Sequence, residues 1–168
     1  MAFAKLTAMT AGAAAGVMLA TTAVWADDVA RAQSLVESFY TSLIDEKYEA
    51  AIDMFQPNAN ATSVYNFGKA YPEETITYSP KDLKQYIEAE IPEEYQQYFE
   101  GYKETAQSFE VLGAQRAGEN VTVTGRLTTD YEMSGYKGKI FQNDTFTVTF
   151  PSEGNPAFSR YHGVTTYK

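Results

Sequence analysis

Asn120-Val121-Thr122-Val123-Thr124-Gly125-Arg126-Leu127-Thr128-Thr129-Asp130-Tyr131-Glu132-Met133 is the stretch whose reading settles the fold class. Val121, Val123, Leu127, Tyr131 and Met133 alternate with Thr122, Thr124, Arg126, Thr128, Asp130 and Glu132. A side-chain period of two belongs to a strand with one buried face and one wetted face. The same style starts at Ser108 and continues through Ile140 to Phe150 and Phe158 to Tyr167. Turn formers separate the runs: Gly118-Glu119-Asn120, Ser134-Gly135 through Gly138, and Glu153-Gly154-Asn155-Pro156. Together they predict a four-strand antiparallel meander with long strands.

Upstream the period changes. Val29, Ala32, Leu35, Val36, Phe39, Tyr40 and Leu43 recur at three- and four-residue steps, which lays them along one face of a helix. A second short run carries Tyr48, Ala51, Ile52 and Phe55, and Pro57, Asn58 and Asn60 are expected to end it. Residues 61–78 read as one or two short strands with a loop at Pro72. Ser79-Pro80-Lys81-Asp82 has the capping residue, the proline and the acid of a helix start. A further start at Pro92-Glu93-Glu94 leads into an aromatic stripe, Tyr95, Tyr98, Phe99 and Tyr102.

The fold class is therefore α+β, with N-terminal helices packed on a curved, mostly antiparallel sheet that ends in the meander. The element order resembles the nuclear transport factor 2-like superfamily, the cystatin-like cone shared with ketosteroid isomerases, scytalone dehydratases and polyketide cyclases. So do the helix-pair phrase Phe39-Tyr40-Thr41-Ser42-Leu43 through Ala50-Ala51-Ile52-Asp53-Met54-Phe55 and the last strand Ser159-Arg160-Tyr161-His162-Gly163-Val164. The resemblance covers residues 29–167 and implies a pocket between the curved sheet and the helices. One such scaffold carries unrelated functions, so the resemblance assigns none of them.

Residues 1–26 have one charge, Lys5, then an Ala-rich apolar run, and end Ala23-Val24-Trp25-Ala26 before Asp27-Asp28. That is the layout of a secretory signal peptide cut after Ala26. The expectation is a periplasmic or extracellular protein whose residues 27–168 form a single domain; the competing expectation is an uncleaved anchor. Removal of the leader leaves 142 residues and a net charge of −10. A domain of that size buries roughly 68% of its unfolded surface and stands without disulfides. The whole chain has 168 residues, with 13 Lys+Arg against 22 Asp+Glu. The acidic balance argues against nucleic acid, which needs a positive surface. The absence of cysteine and the single histidine exclude thiol nucleophiles, Cys-ligated zinc and multi-His metal sites. No cofactor and no metal are expected, nor stable membrane insertion once the leader is gone.

Simple hairpins fix a register in which Phe146 faces His162, Val148 faces Arg160, Thr129 faces Asp144 and Val111 faces Leu127. One face then carries Phe109, Leu127, Tyr131, Gln142, Asp144, Phe146, Arg160 and His162, and the helices must cover it. The other carries Thr122, Thr124, Arg126, Thr128, Asn143, Thr145, Thr147, Thr149, Tyr161 and Thr165, and faces water or a second subunit in a homodimer. Asp144 and His162, as diagonal neighbours, would form an acid–base couple. Tyr131, Gln142, Arg160, Phe109, Leu127 and Phe146 would line a ligand pocket. Two functions stand. One is a non-catalytic module for a small apolar or aromatic ligand or for protein interaction. The other is a cofactor-free isomerase, dehydratase or cyclase with Asp144 as base, His162 as acid, and Tyr131 or Arg160 steadying negative charge.

Overall fold

Alternation in the C-terminal half becomes one sheet, and the helical periodicity before it becomes its cover. The computed structural model describes residues 7–66, 72–80, 82, 101–152 and 154–168, with side chains from residue 26. Helix α1 runs Thr7–Ile44 and α2 runs Tyr48–Ile52. The strands are β1 (Phe55–Asn66), β2 (Glu74–Tyr78), β3 (Tyr102–Ala117), β4 (Asn120–Met133), β5 (Tyr136–Thr149) and β6 (Ala157–Tyr167). They form one six-stranded sheet in the order β2-β1-β6-β5-β4-β3. All neighbours are antiparallel except β1 and β6, which run parallel.

The expected meander is β3 to β6. The expected end of the second helix shifts: α2 stops at Ile52, and Phe55 already starts β1. Pro57 is accommodated because the β1–β6 pairing is irregular between Phe55 and Asn60, where a missing N–H breaks no ladder bond. The expected helices after Pro80 and Pro92, with the stripe Tyr95, Tyr98 and Phe99, lie outside the described residues apart from Pro80 and Asp82. There the hydroxyl of Ser79 and the carboxylate of Asp82 do bond as an N-terminal cap requires. Tyr102 belongs to β3. The expected cleavage point after Ala26 falls within α1. Among the described residues no helix is long and apolar enough to cross a membrane.

Ala32, Val36, Phe39 and Tyr40 are the buried face of α1, as the helical spacing requires. They press on Val121, Val123 and Leu127 of β4, Phe146 and Val148 of β5, and Phe158 and Tyr161 of β6. Phe39 stands edge-on to Phe146 and Phe158 with ring centres 5.3 and 5.6 Å apart, and Tyr40 stacks on Phe109 at 5.3 Å. Edge-to-face pairs of this kind are worth about 0.5–1.5 kcal/mol each beyond the area they bury.

Every hairpin differs from the simple register: Asp144 pairs with Gly125 and not Thr129, Leu127 pairs with Phe109 and not Val111, and the last hairpin carries a bulge. Thr147 pairs with Arg160, but Val148 pairs with Phe158, so Ser159 is an extra residue on β6. The Ser159 hydroxyl donates to the Thr147 carbonyl and holds the bulge in place. Beyond it every side chain changes face. Tyr161, Gly163 and Thr165 point inward, while Arg160 and His162 are exposed. The expected inward placement of Arg160 and His162 is thereby corrected. The threonine-rich outer face keeps its β4 and β5 members but loses Tyr161 and Thr165 to the interior.

The covered part of α1 is fastened at its start. Asp28, almost fully buried, accepts from Arg116 Nη1 at 2.5 Å, and Arg31 lies 3.7 Å from the same carboxylate. A half-buried charged hydrogen bond of this kind contributes on the order of 2 kcal/mol. Asp28→Ala and Arg116→Ala should each lower the unfolding free energy by about that amount. The double variant should lose little more than either single one, as measured by urea denaturation in a double-mutant cycle.

Candidate functional site

Asp144 sits in the middle of β5, flanked in register by Gly125 of β4 and Gly163 of β6. Neither neighbour has a side chain, and the vacated space is used. The Tyr40 ring passes over Gly125, where an added Cβ would lie 2.7 Å from its hydroxyl. The Tyr161 ring passes over Gly163, where an added Cβ would lie 2.2 Å from its hydroxyl. Both tyrosines thus reach the carboxylate between them. Tyr40 donates to Oδ2 at 2.7 Å and Tyr161 donates to Oδ1 at 2.8 Å. Gln142 Nε2 donates to Oδ2 at 3.0 Å and lies 3.1 Å from the Tyr161 hydroxyl oxygen. The carboxylate is 2% exposed.

Burial pushes the Asp144 carboxyl up to about 6, and the three donors, together with the His162 charge nearby, hold it from going higher. Burial and the adjacent carboxylate push the Tyr40 hydroxyl far above the usual phenol range, and Tyr161 follows for the same causes. Both therefore remain neutral donors. Among the described residues no Lys or Arg forms an ion pair with Asp144, and no buried polar side-chain atom lacks a hydrogen-bond partner.

Next to this cluster lies a hollow of about 170 Å³ between the α1–α2 corner and the sheet. Phe39, Leu43, Tyr48, Ala51, Ile52 and Phe55 line one side, and Ser63, Tyr65, Tyr78, Gln142 and Tyr161 the other. The hydroxyls of Ser63 and Tyr78 share a hydrogen bond of 2.8 Å, and burial lifts Tyr78 to about 12. Asp144 is not part of the lining; the Tyr161 and Gln142 side chains stand in front of it.

Gln142 is the one expected ligand contact that lines the hollow. Phe109, Leu127 and Phe146 are interior packing beneath α1. Tyr131 is half-buried at the far end of the sheet, stacked on Tyr102 at 5.6 Å and lying over Gly138. There it borders a wider groove of about 560 Å³ with Asp130, Lys137 and Lys139, away from Asp144. The acid–base couple of Asp144 with His162 is not formed, since the bulge at Ser159 puts the imidazole on the opposite face of β6. The residues that sequence reasoning missed are Tyr40, Tyr161, Ser63 and Tyr78. The signal for two of them was hidden by the register: simple hairpins set Asp144 opposite Thr129, and only the observed pairing with Gly125 and Gly163 leaves the room that a large neighbouring side chain must fill. Among the described residues no group of three or more His, Asp or Glu converges as a metal site would require.

No protein-family model and no curated protein matches the chain. Solved structures do. A protein from Novosphingobium aromaticivorans, described as nuclear transport factor 2-like with a cystatin-like fold, is 10% identical over 87% of this chain and 86% of its own, with a TM-score of 0.58. A CaMKII hub from S. rosetta is 9% identical over 82% and 95%, with a TM-score of 0.55. A ketosteroid isomerase-like protein from Erwinia carotovora atroseptica is 13% identical over 82% and 95%, with a TM-score of 0.53. At such identities the likeness is one of fold.

Two outcomes follow for the buried cluster. The folded carboxyl titrates near 6 and an unfolded one near 3.9, so between about pH 4 and 6 the native state binds the extra proton. Stability should therefore fall as pH rises through that window, by roughly 3 kcal/mol, and this contribution should be absent from Asp144→Asn, so that it appears as the pH-dependent part of the difference between wild type and variant in urea unfolding. Gly163→Ala should destabilise by about 1–3 kcal/mol through overpacking, because the new methyl displaces the Tyr161 hydroxyl from Oδ1. Its effect should be only partly reduced in a Tyr161→Phe background, read by the same unfolding measurement, because the ring Cζ at 2.8 Å and Asp144 Oδ1 at 2.7 Å still crowd the methyl.

Proposed function

We propose that this chain, which has the nuclear transport factor 2-like fold, is an exported, non-catalytic module that holds a compact ligand in the aromatic-walled hollow. The observation that carries this is the engagement of Asp144 by three donors away from the hollow. Its oxygens accept from Tyr40, Tyr161 and Gln142, and it does not line the hollow. A general base must come within about 2.6–3.2 Å of the proton it removes, or reach it through one water. Here two side chains intervene, and the imidazole that would complete the couple lies on the other face of the sheet.

What lines the hollow suits binding. Aromatic and aliphatic faces surround a few hydroxyls and one amide, the usual make-up of a small-molecule site. A volume near 170 Å³ compares with the ~150 Å³ apolar cavity that admits a benzene-sized guest. Export is supported by the leader pattern of residues 1–26. The threonine-rich outer face of β4 and β5 supports pairing with a second copy. The cofactor-free enzyme remains the competing function, and it now rests on Asp144 alone.

Thermal unfolding of the purified protein against a panel of single-ring and branched aliphatic compounds tests the proposal. A fitting ligand at a hundred times its Kd should add about 2.7 kcal/mol of apparent stability. Asp144→Asn should still bind it, and the compound should be recovered unchanged. Turnover that is lost in Asp144→Asn would establish the enzyme instead. Mass analysis of the exported protein should show a chain beginning at Asp27.

A further inference from the structure

Resting on the ligand-binding reading above, we infer that the hollow selects a small organic cation, an alkylated ammonium head, over an uncharged molecule of the same shape. Six of its lining residues are aromatic: Phe39, Tyr48, Phe55, Tyr65, Tyr78 and Tyr161. Ring faces carry negative charge density, and several of them around one space attract a desolvated cation. No Lys, Arg or His lines the hollow among the described residues.

Behind that wall stands a carboxylate at 2% exposure whose hydrogen-bond partners are all neutral. Its charge is stabilised by dipoles but not cancelled, so its field extends through a poorly screened interior into the adjoining hollow. The donors also point the right way. Tyr161 spends its proton on the carboxylate, and Gln142 Nε2 donates to the carboxylate and to the Tyr161 hydroxyl, so neither side chain keeps a donor for the hollow. An anion finds no donor in these two residues.

The entrance continues the pattern. Tyr48, 39% exposed, lies at the rim; burial raises its phenol most, and the nearby Glu46 and Glu104 carboxylates add to the rise. Lys47 beside it is turned to Asp45 at 2.8 Å. With 22 acidic against 13 basic residues, the whole chain favours approach of a cation.

The groups that face Asp144 fix the pH dependence. Tyr40 of α1, Tyr161 of β6 and Tyr78 of β2 stay neutral throughout the range concerned, and Gln142 carries no charge. Gly125 of β4 adds none. His162 of β6 is exposed on the far face of the sheet. Protonation of Asp144 therefore removes the attraction as pH falls through about 6.

Calorimetric and NMR titrations with the choline cation and with its neutral isostere 3,3-dimethylbutan-1-ol test the inference. At pH 7.5 the cation should bind about ten-fold or more tightly than the isostere. The preference should shrink several-fold at pH 5, and likewise in Asp144→Asn at pH 7.5, while His162→Gln keeps it. Tyr48→Leu, at a half-open position, should weaken the cation about three-fold more than it weakens the isostere, which serves if the Asn variant does not fold. Equal or tighter binding of the isostere overturns the cation preference and leaves the binding function standing. Binding of neither overturns this inference, and the binding function falls with it only if the wider compound panel is also silent.

Discussion

Two tyrosine hydroxyls meeting one buried carboxylate is the contact on which the rest of the structure depends. It joins three elements that are far apart in sequence: α1 through Tyr40, β5 through Asp144 and β6 through Tyr161. An ionised carboxylate inside a protein is tolerable only when its lone pairs are occupied by well-placed donors. Meeting that demand fixes the height of α1 above the sheet and the rotation of β6 about its own axis. Gly125 and Gly163 are the steric condition for it, because a methyl group at either position would occupy the path of a ring.

The geometry of the hollow is a consequence. Tyr161 leans over Gly163 to reach Asp144, and so cannot fill the space nearer β1, where Ser63 is paired with Gly163. Phe39 packs against Phe55, Phe146 and Phe158, which closes the core on the β5 side and leaves the α2 side open. Small residues Ala51 and Ser63 do not close the remainder. Protein interiors are close-packed, and a residual space bordered by hydroxyls and rings is therefore a property of this particular arrangement and not of the fold in general.

Much of the fold was legible because it rests on period. The alternation of β4, the glycine-marked turns and the stripe from Val29 to Leu43 each state a local geometry that burial then enforces. Asp144 was legible as an interior acid for the same reason. The last hairpin was not, since a bulge needs only one unpaired residue and Ser159 has no composition that announces it. That single residue reverses the face of everything after it, which exchanges Arg160 and His162 for Tyr161 and Gly163. Tyr40 was read as one member of an apolar helix face; that its hydroxyl ends on Asp144 follows only from the height of α1 over the sheet. Ser63 and Tyr78 were hidden because β1 and β6 run parallel, a pairing across most of the chain that local pattern does not encode.

The carboxylate is a poor choice if stability alone is at issue. A buried ionised group with its donors removed and replaced by hydrocarbon of equal volume is often neutral or favourable to the folded state by about 1–4 kcal/mol. Leu at 144 with Phe at 40 and 161 would fill a comparable volume and leave no polar group to satisfy. Registry is one use for the polar cluster, since Asp144 accepts Tyr161 only when β6 is shifted by its bulge. A simple hairpin would bring His162 there in its place, beside a carboxylate that would bind it well. The bulge is therefore what keeps the histidine out of the interior and leaves the carboxylate with neutral donors only. A charge paired to a buried cation has little field left to offer, whereas one held by hydroxyls and an amide keeps most of it. The same extra residue that removes the acid–base couple thus creates the unneutralised anion behind the aromatic hollow.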